Sequence, residues 1–370
     1  MTMTDAIQIP FHQKRRQHFL SEQRWIIANE RFVDALDMFQ ELKQSTILDE
    51  QQTLFYEYST LWEHLKLNYT AGMPIDNLPP ILDEIIKPLQ NVTIFWQENR
   101  KELRSIGFYS SPMPWYFENH YLTVLGLISL CYLLHREDLL PQLLQIIIDN
   151  DIDDLGPDST IEDFFHYRFK DRTDPDYIQM NDHAVLISDA IREKDPNEKK
   201  ALLHQYLKKW YKEMVGMNDL EYNSHLDPEQ NGYCGYWAFE AAAIAYLDEV
   251  DDTEFYQYPY YPKDMVEWAR EQRRIRYAEQ DSESQHPLLL SVGQQAPFSG
   301  KYGVDNFSGF ERYFQAGDVL PNGQVSGKRD EKGNPVFRQD AIWRLLSRDD
   351  GGTTRFTEDE LNKYHPDHKS

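Results

Sequence analysis

The stretch that most constrains the fold is Gly232 to Trp268, GYCGYWAFEAAAIAYLDEVDDTEFYQYPYYPKDMVEW. Around Ala241, Ala242, Ala243 and Ala245 it reads as a helix with no polar face. Such a helix must be surrounded by other helices rather than laid on a surface. The small side chains let a neighbour approach at the short end of the roughly 8–10 Å interaxial range. Five carboxylates follow within Asp248–Glu254, and a group that dense is expected to face water, because it cannot be desolvated together. The prolines of Tyr258-Pro259-Tyr260-Tyr261-Pro262 then stiffen a tyrosine-rich connection. Pro262 stands where a first-turn proline belongs, ahead of Asp264, Met265, Val266 and Trp268. The tyrosines are expected either to plug the core or to offer a partner rigid aromatic anchors.

The residues ahead of this stretch supply the helices it needs. Apolar side chains recur at helical spacing from Arg15 to Gln44, from Asp49 through Leu65, and from Pro79 through Phe95, where Pro88 predicts a kink or break. Ser159-Thr160-Ile161-Glu162 reads as a capping box. Asp195-Pro196-Asn197-Glu198 combines an N-cap, an N1 proline and an acidic third position. Strand-like alternation is nearly absent before residue 275. The expected class is therefore all-α, a multi-helix bundle or stacked helical hairpins, with a small loop- and β-turn-rich C-terminal appendage. That appendage begins near Asp281, where Gly, Pro, Ser and Asn become frequent; turns and small strands are expected in it. So small and glycine-rich a piece is expected to need the helical body for stability, and residues after Gly351 are expected to be mobile. The expected division is 1–110, 111–280 and 281–370.

The chain of 370 residues carries a net charge of −24. Residues 281–370 account for only −3 of it, leaving −21 on the helical part. Such a field repels nucleic acid and accelerates encounter with basic partners. Two cysteines, Cys131 and Cys234, each lie in apolar surroundings and are expected to be buried free thiols, as suits a reducing compartment. The first residues lack the apolar core of a signal peptide. The most apolar run, Tyr121 to Leu134, is too short to span a bilayer. A soluble, cytoplasmic protein is expected.

Chemistry-bearing patterns are few. The acidic run beginning at Asp149 fails as a calcium loop, since its sixth position is Asp154 rather than glycine and its twelfth is Thr160 rather than a carboxylate. A solvated negative surface is the plainer reading. Glu162 and His166 share a helical face, but two ligands do not make a zinc site. The phosphate-binding, dinucleotide-binding and nucleophile-elbow motifs are absent. Glu240 is the odd residue, a carboxylate among Trp237, Phe239 and alanines. Its expected role is a structural ion pair or helix-end hydrogen bond, with a general base of raised pKa as the alternative. No catalytic residue, metal or cofactor is assigned.

Gly235–Ala243, Asp251-Asp252 and Tyr260-Tyr261-Pro262-Lys263-Asp264, preceded by Leu207-Lys208-Lys209-Trp210-Tyr211, resemble the signature region of the PoNi-type immunity proteins. The resemblance covers about residues 160–270 and labels 111–280 as the PoNi-type domain. Ala296–Gly300 and Arg312–Pro321 look like a small module found on other polymorphic-toxin immunity proteins. The first resemblance implies a non-enzymatic inhibitor that binds a cognate PoNe-type DNase toxin of bacterial polymorphic or type VI secretion systems. The implied partner is a basic nuclease domain, with no direct contact to nucleic acid or membrane. The residues expected to meet it are Asp151, Asp153, Asp154, Asp251, Asp252, Glu254, Tyr258 and Tyr260, chosen for charge and aromatic character. The alternatives are a hydrolase using Glu240 or the Glu162/His166 face, and a helical scaffold without a toxin partner.

Overall fold

The computed structural model describes residues 10–364 apart from 43–45, 109–110, 114–117, 151–155, 215–220, 228–231, 284 and 308. Two compact units, Met1–Glu271 and Gln272–Ser370, make up the chain.

The first unit is helical. Its helices are α1 Phe11–Lys14, α2 Glu22–Leu42, α3 Ile47–Thr70, α4 Pro79–Ser105, α5 Glu118–Leu133, α6 Leu140–Asn150, α7 Ser159–His166, α8 Asn181–Arg192, α9 Pro196–Glu213, α10 Phe239–Leu247 and the first part of α11 Lys263–Glu283, which includes the boundary at Glu271. Several starts differ from the sequence reading for local reasons. The single helix expected over residues 15–44 is broken: residues 15–21 form an irregular strap between α1 and α2. Ser21 then caps the restart through its hydroxyl and carbonyl, which accept from Arg24 N and Trp25 N. The N-cap of α7 is Asp158, not Ser159. Asp158 takes Ile161 N at 3.0 Å, while Glu162, the expected capping-box partner, is drawn away by Arg172. Helix α4 runs through Pro88 without a break in its assignment, the ring being buried. The α9 start is as expected: Asp195 accepts from Asn197 N and Glu198 N.

At the centre lies α10, whose Ala241, Ala242, Ala243, Ile244 and Ala245 are fully buried. It packs on α5, itself almost wholly buried from Val124 to Leu134, and on α8 and α9. Neither inner helix has a water-facing side, so outer hairpins must cover both. The α3–α4 and α8–α9 pairs do so, with α2 on α3, α6 on α4 and α7 on α8. One apolar core runs from Phe11 to Ala269.

The second unit corrects the all-α expectation. Its described residues hold eight strands: β1 His286–Pro287, β2 Leu289–Ser291, β3 Gly300–Val304, β4 Arg312–Phe314, β5 Gly323–Arg329, β6 Pro335–Arg338, β7 Ile342–Arg348 and β8 Arg355–Phe356. They pair antiparallel as β2-β7-β3-β4, β1-β8 and the hairpin β5-β6. Alternation along β7 buries Trp343 and Leu345 against Leu290, Tyr302 and Phe314, so the unit builds a core of its own. Gly300 is required where β3 crosses β7, since a Cβ there would lie 2.0 Å from the carbonyl oxygen of Ser347. The chain beyond Gly351, expected to be mobile, carries local structure of its own. Phe356 is buried, and Thr357 and Glu360 form a capping box for α12 Glu358–Leu361.

Candidate functional site

Helix α9 and the turn after α10 together make an acidic, aromatic edge. Glu249 takes the left-handed conformation at φ 53°, which turns the chain back and buries Val250. The five carboxylates then part company instead of all facing water. Asp252 points inward and is 2% exposed. It accepts from Arg270 Nη1 at 2.8 Å and from the Tyr261 hydroxyl at 2.7 Å. Arg270 also donates to the carbonyls of Val250 and Ala245, so one buried ion pair pins the whole turn to α11. Asp248 is half-buried, held by Lys199 and by the Tyr167 hydroxyl at 2.7 Å. Asp251 and Glu254 stay outside, meeting Lys200 at 3.0 and 3.3 Å, with Glu254 also 3.8 Å from His204. The Lys200 ammonium and the Thr253 hydroxyl and amide hold the Asp251 carboxyl down to about 2.

The tyrosines divide in the same way. Tyr261 and Phe255 plug the core. Tyr258 and Tyr260 form a half-buried ladder: Tyr260 stacks on Trp210 at 5.0 Å and on Tyr258 at 5.6 Å, and donates its hydroxyl to the Leu207 carbonyl. Beside them Phe19, Tyr211, Tyr236 and Pro259 line a small apolar pocket of about 150 Å³. The strap between α1 and α2 clasps this edge from below. Gln17 donates to the carbonyls of Tyr236 and Pro259 and accepts from Tyr236 N and the Tyr233 hydroxyl, while Arg16 binds Asp264. Of the residues expected to meet a partner, Asp251, Glu254, Tyr258 and Tyr260 are thus brought together at this edge. Asp252 lies beneath it, and Asp151, Asp153 and Asp154 lie outside the described residues. The sequence reading missed Lys199 and Lys200 as the cations of the turn. Their signal was a paired lysine one turn into the best-capped helix.

Among the described residues Glu240 is hydrogen-bonded rather than ion-paired. One oxygen accepts from Tyr206 OH and Trp210 Nε1, both at 2.7 Å, and Tyr206 OH also lies 2.7 Å from His183 Nε2. Burial pushes its carboxyl above the usual range, with His183 and these donors pulling the other way. The Glu162/His166 face is occupied by structure: Arg172 grips the buried Glu162 carboxylate, and His166 Nε2 meets the Arg172 carbonyl at 3.1 Å. Both cysteines are free and buried, and burial pushes both thiols up, away from reactivity. Among the described residues no three His, Cys, Asp or Glu side chains are grouped to hold a metal ion, and no helix is long and apolar enough to cross a membrane.

No curated protein matches the chain. The crystal structure of protein PA2201 from Pseudomonas aeruginosa is similar with a TM-score of 0.56 at 18% identity, covering 70% of this chain and 91% of that one, and this likeness shows a shared fold. The segment that holds α7 to α10, the acidic edge and Glu240 carries more than a fold: residues 156–265 match the family of PoNe immunity proteins (PoNi), C-terminal.

Proposed function

We propose that this chain is an immunity protein that neutralises a cognate DNA-cleaving toxin by stoichiometric binding, without chemistry of its own. The family match over residues 156–265 carries the reading. The charge supports it, since a nuclease presents a basic surface to its phosphate-rich substrate and the net charge here is −24. In this reading the toxin docks on the edge of Asp251, Glu254, Tyr258 and Tyr260. Exposed carboxylates there steer encounter, and the stiff tyrosine ladder supplies anchors already fixed in place. Asp252 serves from beneath by fixing the turn. Asp151, Asp153 and Asp154 form a second acidic stretch for the same partner.

The test is to express a cognate PoNe-type nuclease domain, with and without this chain, and to measure survival and complex formation. Survival only with the chain, through a 1:1 complex whose association slows as salt rises, is the expected result. Equal killing in both cases would reject the reading. Charge reversal at the edge, Asp251→Lys with Glu254→Lys, should slow association by roughly tenfold or more at low salt while leaving the fold intact.

A further inference from the structure

A cavity of about 400 Å³ opens beside the central helix, lined from α3, α5, α9 and the start of α10. Its size is that of a small-ligand site, and its walls are largely aromatic, with Trp62, Trp210 and Trp237 among them. Among the described residues three carboxylates, Glu63, Glu221 and Glu240, line it against a single lysine, Lys66. The lysine shows what this environment does with a cation. Its ammonium sits 5.2 Å from the centre of the Trp62 ring and pairs with Glu221, with its side chain 7% exposed. Lys66 also attracts Glu63, and His183 attracts Glu240, yet the described wall holds three carboxylates to that one ammonium. Glu63 stands at the exposed rim and makes no hydrogen bond or ion pair among the described residues. Glu240 accepts hydrogen bonds from the neutral donors Tyr206 and Trp210, with His183 drawing on the same carboxyl. Gly126 keeps this space shaped, because a Cβ there would come within 2.9 Å of the Trp62 ring.

We propose that this cavity is a binding site for an organic cation, an alkylguanidinium or alkylammonium group, that lies against the tryptophans and between Glu63 and Glu240. Aromatic faces attract such cations through their quadrupole, and the carboxylates supply the opposite charge. The cation is either a free small amine or one basic side chain of a protein partner; the recognising chemistry is the same. The site does not depend on the toxin reading, since the chain could take up the cation and bind no nuclease.

The experiment titrates the full chain with N-acetylarginine amide and N-acetyllysine amide, following tryptophan fluorescence and heat, with N-acetylcitrulline amide as the neutral isostere. Saturable binding of at least one cation is expected, stronger than citrulline by roughly tenfold, which is 1.4 kcal/mol. Glu63→Gln, an exposed change that leaves the core alone, should weaken it by roughly tenfold, and Glu240→Gln by a similar factor. No saturation with either cation, citrulline binding as well as arginine, or unchanged affinity in both variants would each overturn the proposal. Adding the arginine probe to a preformed complex with the nuclease then names the source. Competition identifies a toxin side chain, and its absence identifies a free amine.

Discussion

Glu240 shows how a buried carboxylate is made tolerable without a counter-ion. Its acceptor oxygen takes two buried donors, one of which would otherwise be orphaned in the core, so the groups satisfy one another. Tyr206 has a second outlet in His183, but Trp210 Nε1 has no other hydrogen bond among the described residues. Glu240→Ala should therefore cost about 2–3 kcal/mol in urea unfolding, most of it from the stranded indole N–H and the space left behind. Tyr206→Phe should cost less than that, near the roughly 1 kcal/mol of a typical hydrogen bond. Equal costs would show that the tyrosine, not the indole, depends on the carboxylate. The sequence marked Glu240 as a residue that had to be bonded, from its apolar neighbours alone. It could not name the partners, which come from a helix some 30 residues earlier and meet Glu240 only when α9 packs on α10.

At the scale of the element, the turn from Asp248 to Glu254 corrects a rule applied too broadly. Five neighbouring acids cannot be buried together, but one can be when an arginine and a tyrosine reach it; Arg270 comes from α11 and Tyr261 from the connection just ahead of it. The cost of breaking it should be lopsided. Asp252→Ala leaves Arg270 and Tyr261 without their acceptor and should destabilise the protein by about 3 kcal/mol. Asp251→Ala, one residue away and exposed, should cost far less, because an exposed ion pair is screened by solvent. Denaturant midpoints of the two variants read the difference directly, and equal midpoints would mean Asp252 does not pin the turn. Helix starts were legible wherever the cap was local, as at Asp195. They were misplaced at Ser159 because the deciding group, Arg172, competes for Glu162 from outside the motif.

At the scale of the molecule, the helical unit was readable because its pattern repeats over long segments, whereas the second unit's strands are two to seven residues long and interrupted by glycine and proline. Alternation over two or three residues carries no signal, so the sheets look like loops until Trp343 and Tyr302 are seen to share a core. The helical unit also sets how the protein meets acid. His64, stacked on Phe32 at 3.6 Å, and His120, in the cavity wall, are held neutral by burial, each pushed down to about 4 from an ordinary 6.5. Between those values the unfolded chain takes up protons that the folded one refuses, so stability falls as pH drops from about 6.5 to about 4. Glu240, whose carboxyl is raised, acts in the opposite sense: the folded state holds its proton more readily, and its contribution to stability falls as pH rises. A His64→Asn, His120→Asn variant should lose up to about two protons of the acid dependence relative to the parent. Unfolding free energies measured across that window test it, and an unchanged slope would place the acid sensitivity elsewhere.

The strap at Gln17 has a consequence for how the protein comes to exist. Its hydrogen bonds reach residues 233, 236 and 259, and Arg16 reaches Asp264, so a segment near the start of the chain closes on segments more than two hundred residues later. The helix that all the others surround, α10, also emerges only after the helices meant to enclose it. During synthesis, α3, α5 and α9 leave the ribosome with their inner faces open and nothing to fill them, and the strap has no partner to hold. Contacts so distant along the chain make for slow, late folding. The helical unit thus reaches its native form only once residue 269 is free, and until then a cell relying on it holds nascent chains that cannot yet assemble its core.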